Sequence, residues 1–249
     1  MQGRFMSALL NNIFMKIEHI LNKIVKMIQY NMKIIFGGRF IWFLLAALAF
    51  YIFVAITGII NGASPDEEFI YGILIFPAVL LIFYPMTFGI QNDVDAGILE
   101  ILFGIPDYRY KVWLIRVLLV FVLVFLILMG FTVLGYIFLV PVDLFEMTGQ
   151  VMFPVLFIGS MAFMFSTLIK NGNGTAVVMV IVGVLLFVLS ETIERTMWNI
   201  FLNPFSVPSN MNEIIWAGIV TKNRMFLVIG TLIFILMGLL NLQKRERYI

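Results

Sequence analysis

Six runs of apolar residues, almost free of internal charge, constrain this chain more than any other feature. A membrane-spanning helix needs about 20 such residues to cross a hydrocarbon core about 30 Å thick. Lipid offers backbone amides no hydrogen-bond partner, so runs of this kind form helices. We therefore expect an all-α integral membrane domain over residues 40–242. Its six transmembrane helices are predicted at approximately Phe40–Ile60, Phe69–Ile90, Val112–Val140, Val151–Ile169, Thr175–Ser190 and Met225–Leu242.

The composition agrees with lipid as the main solvent of the chain. Apolar residues make up 62% of the 249 residues, charged residues only 12%, and the mean hydropathy is +1.07. A soluble domain has no means of hiding this much apolar surface from water. The chain has no cysteine, which excludes disulfides, thiolate metal sites and cysteine nucleophiles.

The positions of the basic residues predict the orientation, because Lys and Arg near span ends favour the cytoplasmic side. If the amino terminus is inside, all but three of the 16 basic residues are cytoplasmic. The three exceptions are Arg195, Lys222 and Arg224. We expect both termini in the cytoplasm, including the tail 243–249, and a prokaryotic inner (plasma) membrane. The basic residues are interpreted as orientation signals, so no nucleic-acid partner is expected.

The segment 1–39 contains an amphipathic pattern. Apolar residues recur at helical spacing on one face and lysines lie on the other. We predict a helix lying flat in the cytoplasmic interface, with its lysines among anionic lipid headgroups. A helix packed on a partner protein is the alternative. The residues of this interfacial helix include Ile13, Phe14, Ile17, Lys16, Lys23 and Lys26.

The loop 91–111, called the coupling loop below, is the most polar stretch near the middle of the chain, yet it contains several apolar residues. This mixture of polar and apolar residues predicts a short cytoplasmic helix in the loop. Asp93 and Asp95 are expected at its start, where carboxylates are favoured, with Gly97 in its first turn and Pro106 beyond its end. Helix capping explains the two aspartates better than a divalent cation, since two carboxylates alone are a weak metal site. Without further information, an ordinary solvated loop remains the alternative to a docking site.

The loop 191–224 is too long to be a simple connector and is rich in aromatic residues. We predict two short helices that dip into the outer membrane interface, where tryptophan is favoured. The residues that define this external loop are Trp198, Pro204, Phe205, Pro208 and Trp216.

Several kinds of catalytic chemistry lack the residues they need. No GxxxxGK[ST] run is present to cradle a nucleotide phosphate, and His19 is the single histidine. The spans are nearly bare of the ionisable groups that pumps and intramembrane proteases use. Glu191, Glu194 and Arg116 come nearest, each at a span end. We therefore expect no enzymatic activity, no metal and no cofactor in this chain.

The coupling loop reads Asp93-Val-Asp95-Ala-Gly97-Ile-Leu99-Glu100-Ile-Leu102-Phe-Gly-Ile-Pro106-Asp-Tyr-Arg109. It resembles the signature of type-2 ABC transporter permeases: an acidic residue, a Gly-Thr-Leu-Glu-like turn, a leucine pair, a proline and a basic residue before the third span. An isoleucine replaces the usual threonine. The amphipathic segment, the six spans and the long fifth loop with its Asn-Pro-Phe also resemble this family. The positions that match the signature are Asp95, Gly97, Leu99, Glu100, Leu102, Pro106 and Arg109.

This resemblance implies a function for the loop. In the family such a loop forms a coupling helix, which inserts into a groove on a separate cytoplasmic ATP-binding subunit. That subunit binds ATP and magnesium. The resemblance implies a permease subunit of an ATP-driven exporter, paired with a second copy of itself or a homologous permease. The cargo would be a lipid, a peptide, a drug-like molecule or another substrate.

Two other functions remain open on the sequence. A non-transporting membrane scaffold or assembly subunit would use the same loop to dock a cytoplasmic partner. An intramembrane lipid-modifying enzyme is the third option. The single histidine, the absence of cysteine and the lack of paired carboxylates within the spans disfavour it.

Overall fold

The structure is a computed structural model that describes residues 40–62, 64–95, 97, 109–169 and 171–242, with the side chains of 109–111 excepted. The described chain is all-helical, without a strand. All six helices are long and apolar enough to cross a membrane, which indicates a multi-pass membrane protein. A turn of π-helix, Arg109–Leu114, leads directly into the third of them. The helices are α1 (Phe40–Ile60), α2 (Glu67–Asp95), α3 (Ile115–Phe138), α4 (Leu144–Ile169), α5 (Gly172–Thr192) and α6 (Glu213–Asn241).

Four helices, α2, α4, α5 and α6, begin between two and twelve residues before the apolar runs that predicted them, and polar side chains accept hydrogen bonds from amides of their first turns. Asp66 accepts a hydrogen bond from Phe69 N (2.8 Å) at the start of α2. Asp143 does the same for Glu146 N (2.8 Å) at the start of α4. Such side chains satisfy amides that have no partner inside the helix. Asn212 Oδ1 likewise accepts from Ile214 N (3.0 Å) at the start of α6, so hydropathy alone underestimates the helix lengths.

The core of the bundle lies around α2 and α4. In an apolar 18-residue window of α4, 67% of the residues are buried, against 11% in α1 and 17% in α5. Helix α2 packs against α1, α3, α4 and α5. The outward faces of α1 and α5 carry large exposed apolar side chains such as Trp42 and Phe53. Within the described bundle these two helices therefore present apolar surface of the kind that lipid or another membrane protein covers.

Helices α4 and α6 make the most extensive pairing in the bundle, and two glycines allow it. The ring of Phe163 lies against Gly238, where an added Cβ would be 2.6 Å from Phe163 Cε1. The ring of Phe157 occupies the equivalent place on Gly230. Small residues let membrane helices approach closely and gain packing contacts. The two phenylalanines thus set the separation of α4 and α6.

Successive helices run in alternating directions, so the bundle has two ends at which the connecting segments lie. At one end, called the Arg116 end, a hydrogen bond links the last turn of α2 to the start of α3. At the same end Asn241 donates a hydrogen bond to Thr167 at 3.2 Å. The opposite end, called the Glu68 end, carries the segment 193–212. Its described charges are mostly acidic. They are Asp66, Glu67, Glu68, Asp143, Glu146, Glu191, Glu194 and Glu213, against Arg195, Lys222 and Arg224.

Candidate functional site

A buried ion pair ties together the two helices that flank the coupling loop. Arg116 Nη1 donates to Asp93 Oδ2 at 2.6 Å, and the two side chains are 8% and 1% exposed. The Arg116 guanidinium also lies 4.8 Å from the ring centroid of the buried Trp113. A charged hydrogen bond of this length in a buried site is among the stronger polar interactions in proteins. It joins the last turn of α2 to the first turn of α3.

Asp93, Asp95 and Gly97 lie at the end of α2 and not at the start of a helix, so the expected capping is wrong, whereas their expected contact with an ATP-binding subunit stays a prediction. Both aspartates belong to the end of α2, which continues to Asp95. Gly97 has φ +66°, and its amide donates to Val94 O at 2.9 Å. Glycine commonly closes a helix in this left-handed conformation. A carboxylate near a helix carboxyl end is unfavourable, and the Arg116 guanidinium compensates the charge of Asp93.

The other residues of the predicted coupling site fall mostly beyond the part of the chain that the structure describes. Leu99, Glu100, Leu102 and Pro106 lie outside it, and of Arg109 only the backbone, in the π-helical turn, is described. The predicted interfacial helix and the tail 243–249 also lie outside the described residues. Their roles stay predictions from the sequence.

The segment 193–212 at the Glu68 end consists of turns, bends and irregular backbone, so the two short helices predicted there are not confirmed. The residues from Glu213 onward belong to α6. Trp216 is buried in its first turn, and its indole Nε1 donates to Pro204 O at 2.9 Å. The Phe205 ring packs edge-on against Tyr71, with centroids 6.0 Å apart. Trp216, Pro204 and Phe205 thus connect the segment to α6 and α2.

Trp198 and Pro208, the other two residues singled out in the external loop, make different contacts. Trp198 is 53% exposed, and its ring meets the edge of Phe226 at 5.1 Å between centroids. Pro208 accepts the Met211 amide through its carbonyl (2.9 Å) and faces a cavity together with Trp216.

Arg224 holds the segment 193–212 against the bundle. Its guanidinium is 7% exposed and donates to Gln150 Oε1 (2.9 Å), Asn223 Oδ1 (2.7 Å) and Leu202 O (3.2 Å). The described residues offer it no carboxylate. The carbonyl of Leu202 also accepts from Tyr71 Oη at 3.1 Å. Arg224 therefore links α4, α6 and the turns, with oxygen dipoles in place of a counter-ion.

Asn223 extends this network to the beginning of the segment. Its side-chain amide donates to Asn199 O (2.7 Å) and Met197 O (2.9 Å). Sequence reasoning assigned Arg224 to the loop and gave Asn223 no role. The available signal was a pair of adjacent, strongly polar residues directly before an apolar run. Polar groups buried in a membrane span usually have a specific role there.

A groove of about 630 Å³ runs between α2 and α5. Gly72, Phe76 and Val79 line it from α2, and Gly183 and Val184 from α5. Towards the Glu68 end it adjoins a second cavity of about 460 Å³. The two share three wall residues, which are Phe187, Phe201 and Asn203.

The second cavity is acidic, whereas the groove is apolar. Glu68, Glu191 and Glu194 line the cavity, and Arg195 is the one base that the described residues contribute to its wall. Within the described chain, no group of three or more His, Cys, Asp or Glu side chains is placed to hold a metal ion. The carboxylates are spread around the wall rather than gathered about a point.

Comparison with known proteins gives no further identification. No protein-family model, curated protein or solved structure matches the chain, so inferences about its function rest on its own residues.

Proposed function

We propose that this chain is the transmembrane permease subunit of a type-2 ABC exporter. In this proposal the coupling loop docks a separate cytoplasmic ATP-binding subunit, and both termini lie in the cytoplasm of a prokaryotic cell. ATP and magnesium are bound by the partner subunit. The likeness of the coupling-loop sequence to the family signature suggests the class. The observation that carries the proposal is the buried Asp93–Arg116 pair.

This pair suits a loop that transmits force. A flexible loop between two independent helices would absorb a displacement in its own backbone. Here the helices on either side of the loop are linked by a 2.6 Å charged hydrogen bond between buried side chains. A push on the loop is therefore delivered to α2 and α3 together. Packed elements of this kind move as units because close-packed interfaces deform little.

The packing of α2 extends the effect across the bundle. Helix α2 contacts α1, α3, α4 and α5, and its last turn is linked to α5 because Gln91 Oε1 accepts a hydrogen bond from Gly172 N. Two prolines, Pro77 and Pro85, interrupt its hydrogen-bond ladder. Proline inside a helix removes one backbone bond and favours a kink. A shift at the Arg116 end is thus expected to reach the walls of the groove through α2.

The proposed machine contains two permeases and two ATP-binding subunits. A second copy or a homologous permease would cover apolar surface on α1 or α5, which the described bundle leaves exposed. Membrane lipid would cover the remainder. Substrate would pass between the paired permeases while the ATP-binding subunits alternate between open and closed states.

The proposal predicts a neighbouring gene for an ATP-binding protein, and co-purification of the chain with that protein tests it. We expect a stable complex whose ATPase activity depends on the permease. Glu100→Arg and Leu102→Asp in the coupling loop should weaken the complex and lower the stimulated ATPase activity. Glu213→Arg, at the Glu68 end of the bundle, is the matched control and should leave both unchanged. Equal binding and stimulation by all three variants would show that the loop is not the docking site.

The same experiment separates the exporter from a scaffold. A scaffold would bind its partner and lose it in the two loop variants, but ATP hydrolysis would drive no substrate across the membrane. Reconstitution of the complex into vesicles, with export followed after ATP addition, distinguishes the two functions.

A further inference from the structure

The groove between α2 and α5 offers an occupant no free polar partner. Its two polar wall residues are already engaged. Tyr71 Oη donates to Leu202 O (3.1 Å), and Asn203 donates to Glu68 O (3.0 Å) while accepting from Phe205 N (3.0 Å). Its volume of about 630 Å³ lies within the range of small-molecule sites, about 300–1,000 Å³. The groove is therefore suited to an apolar chain or ring system.

One face of α5 changes character along its length. Val180, Val184 and Phe187 follow one another at helical spacing and line the groove. Glu191 continues the same face at the next turn, and Glu194 follows just beyond the helix end. Residues spaced by three or four positions lie on the same side of a helix. The apolar wall thus leads directly to carboxylates.

The carboxylates of the adjoining cavity are available to a cation. Glu191 and Glu194 are exposed and form no ion pair within the described chain. Glu68 accepts a hydrogen bond from Ser206 Oγ at 2.8 Å, which leaves its charge uncompensated. The one base of the wall, Arg195, donates to Asn210 Oδ1 at 3.0 Å. The cavity therefore carries more negative than positive charge.

We propose that the groove and the cavity form one binding site for a cationic amphiphile, with its apolar part between α2 and α5 and its ammonium group among Glu68, Glu191 and Glu194. The spread of the carboxylates suits a bulky organic cation better than a metal ion, which needs its ligands within about 2–2.6 Å. As a statement about cargo, the inference rests on the proposed export function. As a statement about binding, it does not.

Photolabelling of the full chain in phosphatidylcholine nanodiscs tests the site without any ATP-binding subunit. The probe is dodecyltrimethylammonium with a diazirine in its alkyl chain. We expect saturable labelling of α2 and α5 along the groove. An excess of unlabelled dodecyltrimethylammonium should compete, and the same concentration of dodecyl sulfate should not. Competition by both detergents alike would show a groove that accepts any alkyl chain and would overturn the proposal.

Variants of the carboxylates test the charge preference. The triple variant Glu68→Gln, Glu191→Gln and Glu194→Gln should raise the half-saturating probe concentration about tenfold, since each partly exposed pair contributes modestly. Glu146→Gln, at the same end of the bundle but outside the cavity wall, is the control and should bind like the parent chain. Unchanged binding by the triple variant would contradict the site.

Filling the groove tests its apolar half. An added Cβ at Gly72 or Gly183 meets no atom within 4 Å, so the Cβ of Gly183→Phe fits there and we expect its ring to occupy the groove. It should abolish saturable labelling. Gly130→Phe is the matched control, because Gly130 is also free of neighbours within 4 Å but lies on α3 away from the groove. Size-exclusion profiles of both variants report folding, and labelling retained by a folded Gly183→Phe would rule the groove out.

The outcome is separable from that of the export proposal. Binding with these preferences but no effect of dodecyltrimethylammonium on a partner ATPase would leave the site standing and count against export. A working ATP-driven complex whose chain shows no saturable labelling would uphold export and overturn the site.

Discussion

Arg116 Nη1 lies 2.6 Å from Asp93 Oδ2, across the two ends of the coupling loop, and both side chains are buried. The two residues are 23 positions apart in the chain, and their pairing joins the ends of a loop whose sequence resembles a docking element. The resulting clamp makes the ends of α2 and α3 mechanically one unit.

Removal of either partner of the clamp should destabilise the protein. Asp93→Asn or Arg116→Gln leaves a buried charge without its counter-ion. In buried sites this lowers the free energy of unfolding by about 3–5 kcal/mol. We expect a lower thermal transition in detergent for each single variant. The swapped double variant, Asp93→Arg with Arg116→Asp, should recover part of the loss. If the single variants melt like the parent chain, the pair contributes nothing to stability.

Arg224→Met should release the segment 193–212. The substitution keeps much of the side-chain volume but deletes the donors to Gln150 Oε1 and Leu202 O. Hydrogen bonds from charged groups contribute about 1.5–3 kcal/mol each. Amide hydrogen exchange in this segment should accelerate about tenfold or more. Lys222→Met, an exposed position two residues earlier, is the control. Equal exchange in both variants would remove Arg224 from its anchoring role.

Gly238→Leu should separate α4 from α6. A Cβ at Gly238 would lie 2.6 Å from the Phe163 ring, and overpacking of this kind costs about 1–3 kcal/mol. We expect a lower melting temperature in detergent. Gly130→Leu, where the space is open, should melt at or slightly above the parent temperature, because leucine favours a helix more than glycine does. The reverse order of the two variants would contradict the packing.

Single cysteines test the orientation of the spans, and the absence of native cysteine makes the experiment direct. In intact cells, a membrane-impermeant maleimide should label Ser64→Cys and Ser209→Cys, at the Glu68 end. Asn173→Cys, at the Arg116 end, should react only after permeabilisation. The physical reason is the excess of basic residues in the segments that the sequence predicts to be cytoplasmic. The opposite labelling pattern would invert the proposed topology.

The candidate site was predictable only in part. The aromatic and proline residues of the external loop were singled out from the sequence, and the structure places Trp216, Pro204 and Phe205 in contact with one another or with the helices. Asp93 and Arg116 were both named from the sequence, but not as a pair. Asp93 was interpreted as a residue at the start of a helix, but it lies in the last turn of α2. That helix continues past the end of the apolar run, and Asp93 there pairs with Arg116.

The number of spans follows from the sequence alone, since transfer of a segment into lipid depends on its own length and composition. All six apolar runs are helices in the structure. The pairings between helices depend on the tertiary structure. Tyr71 reaches Leu202 across 131 residues, and Glu68 reaches Ser206 across 138.

No local pattern specifies such contacts, because they arise from the packing of many side chains on helices distant in the chain. Hydropathy treats the faces of α2 and α5 alike, whether they meet lipid, a neighbouring helix or an open groove. The groove and its acidic cavity therefore become visible only when the helices are assembled. Only that assembly brings Glu68, from the start of α2, beside Glu191 and Glu194 at the end of α5.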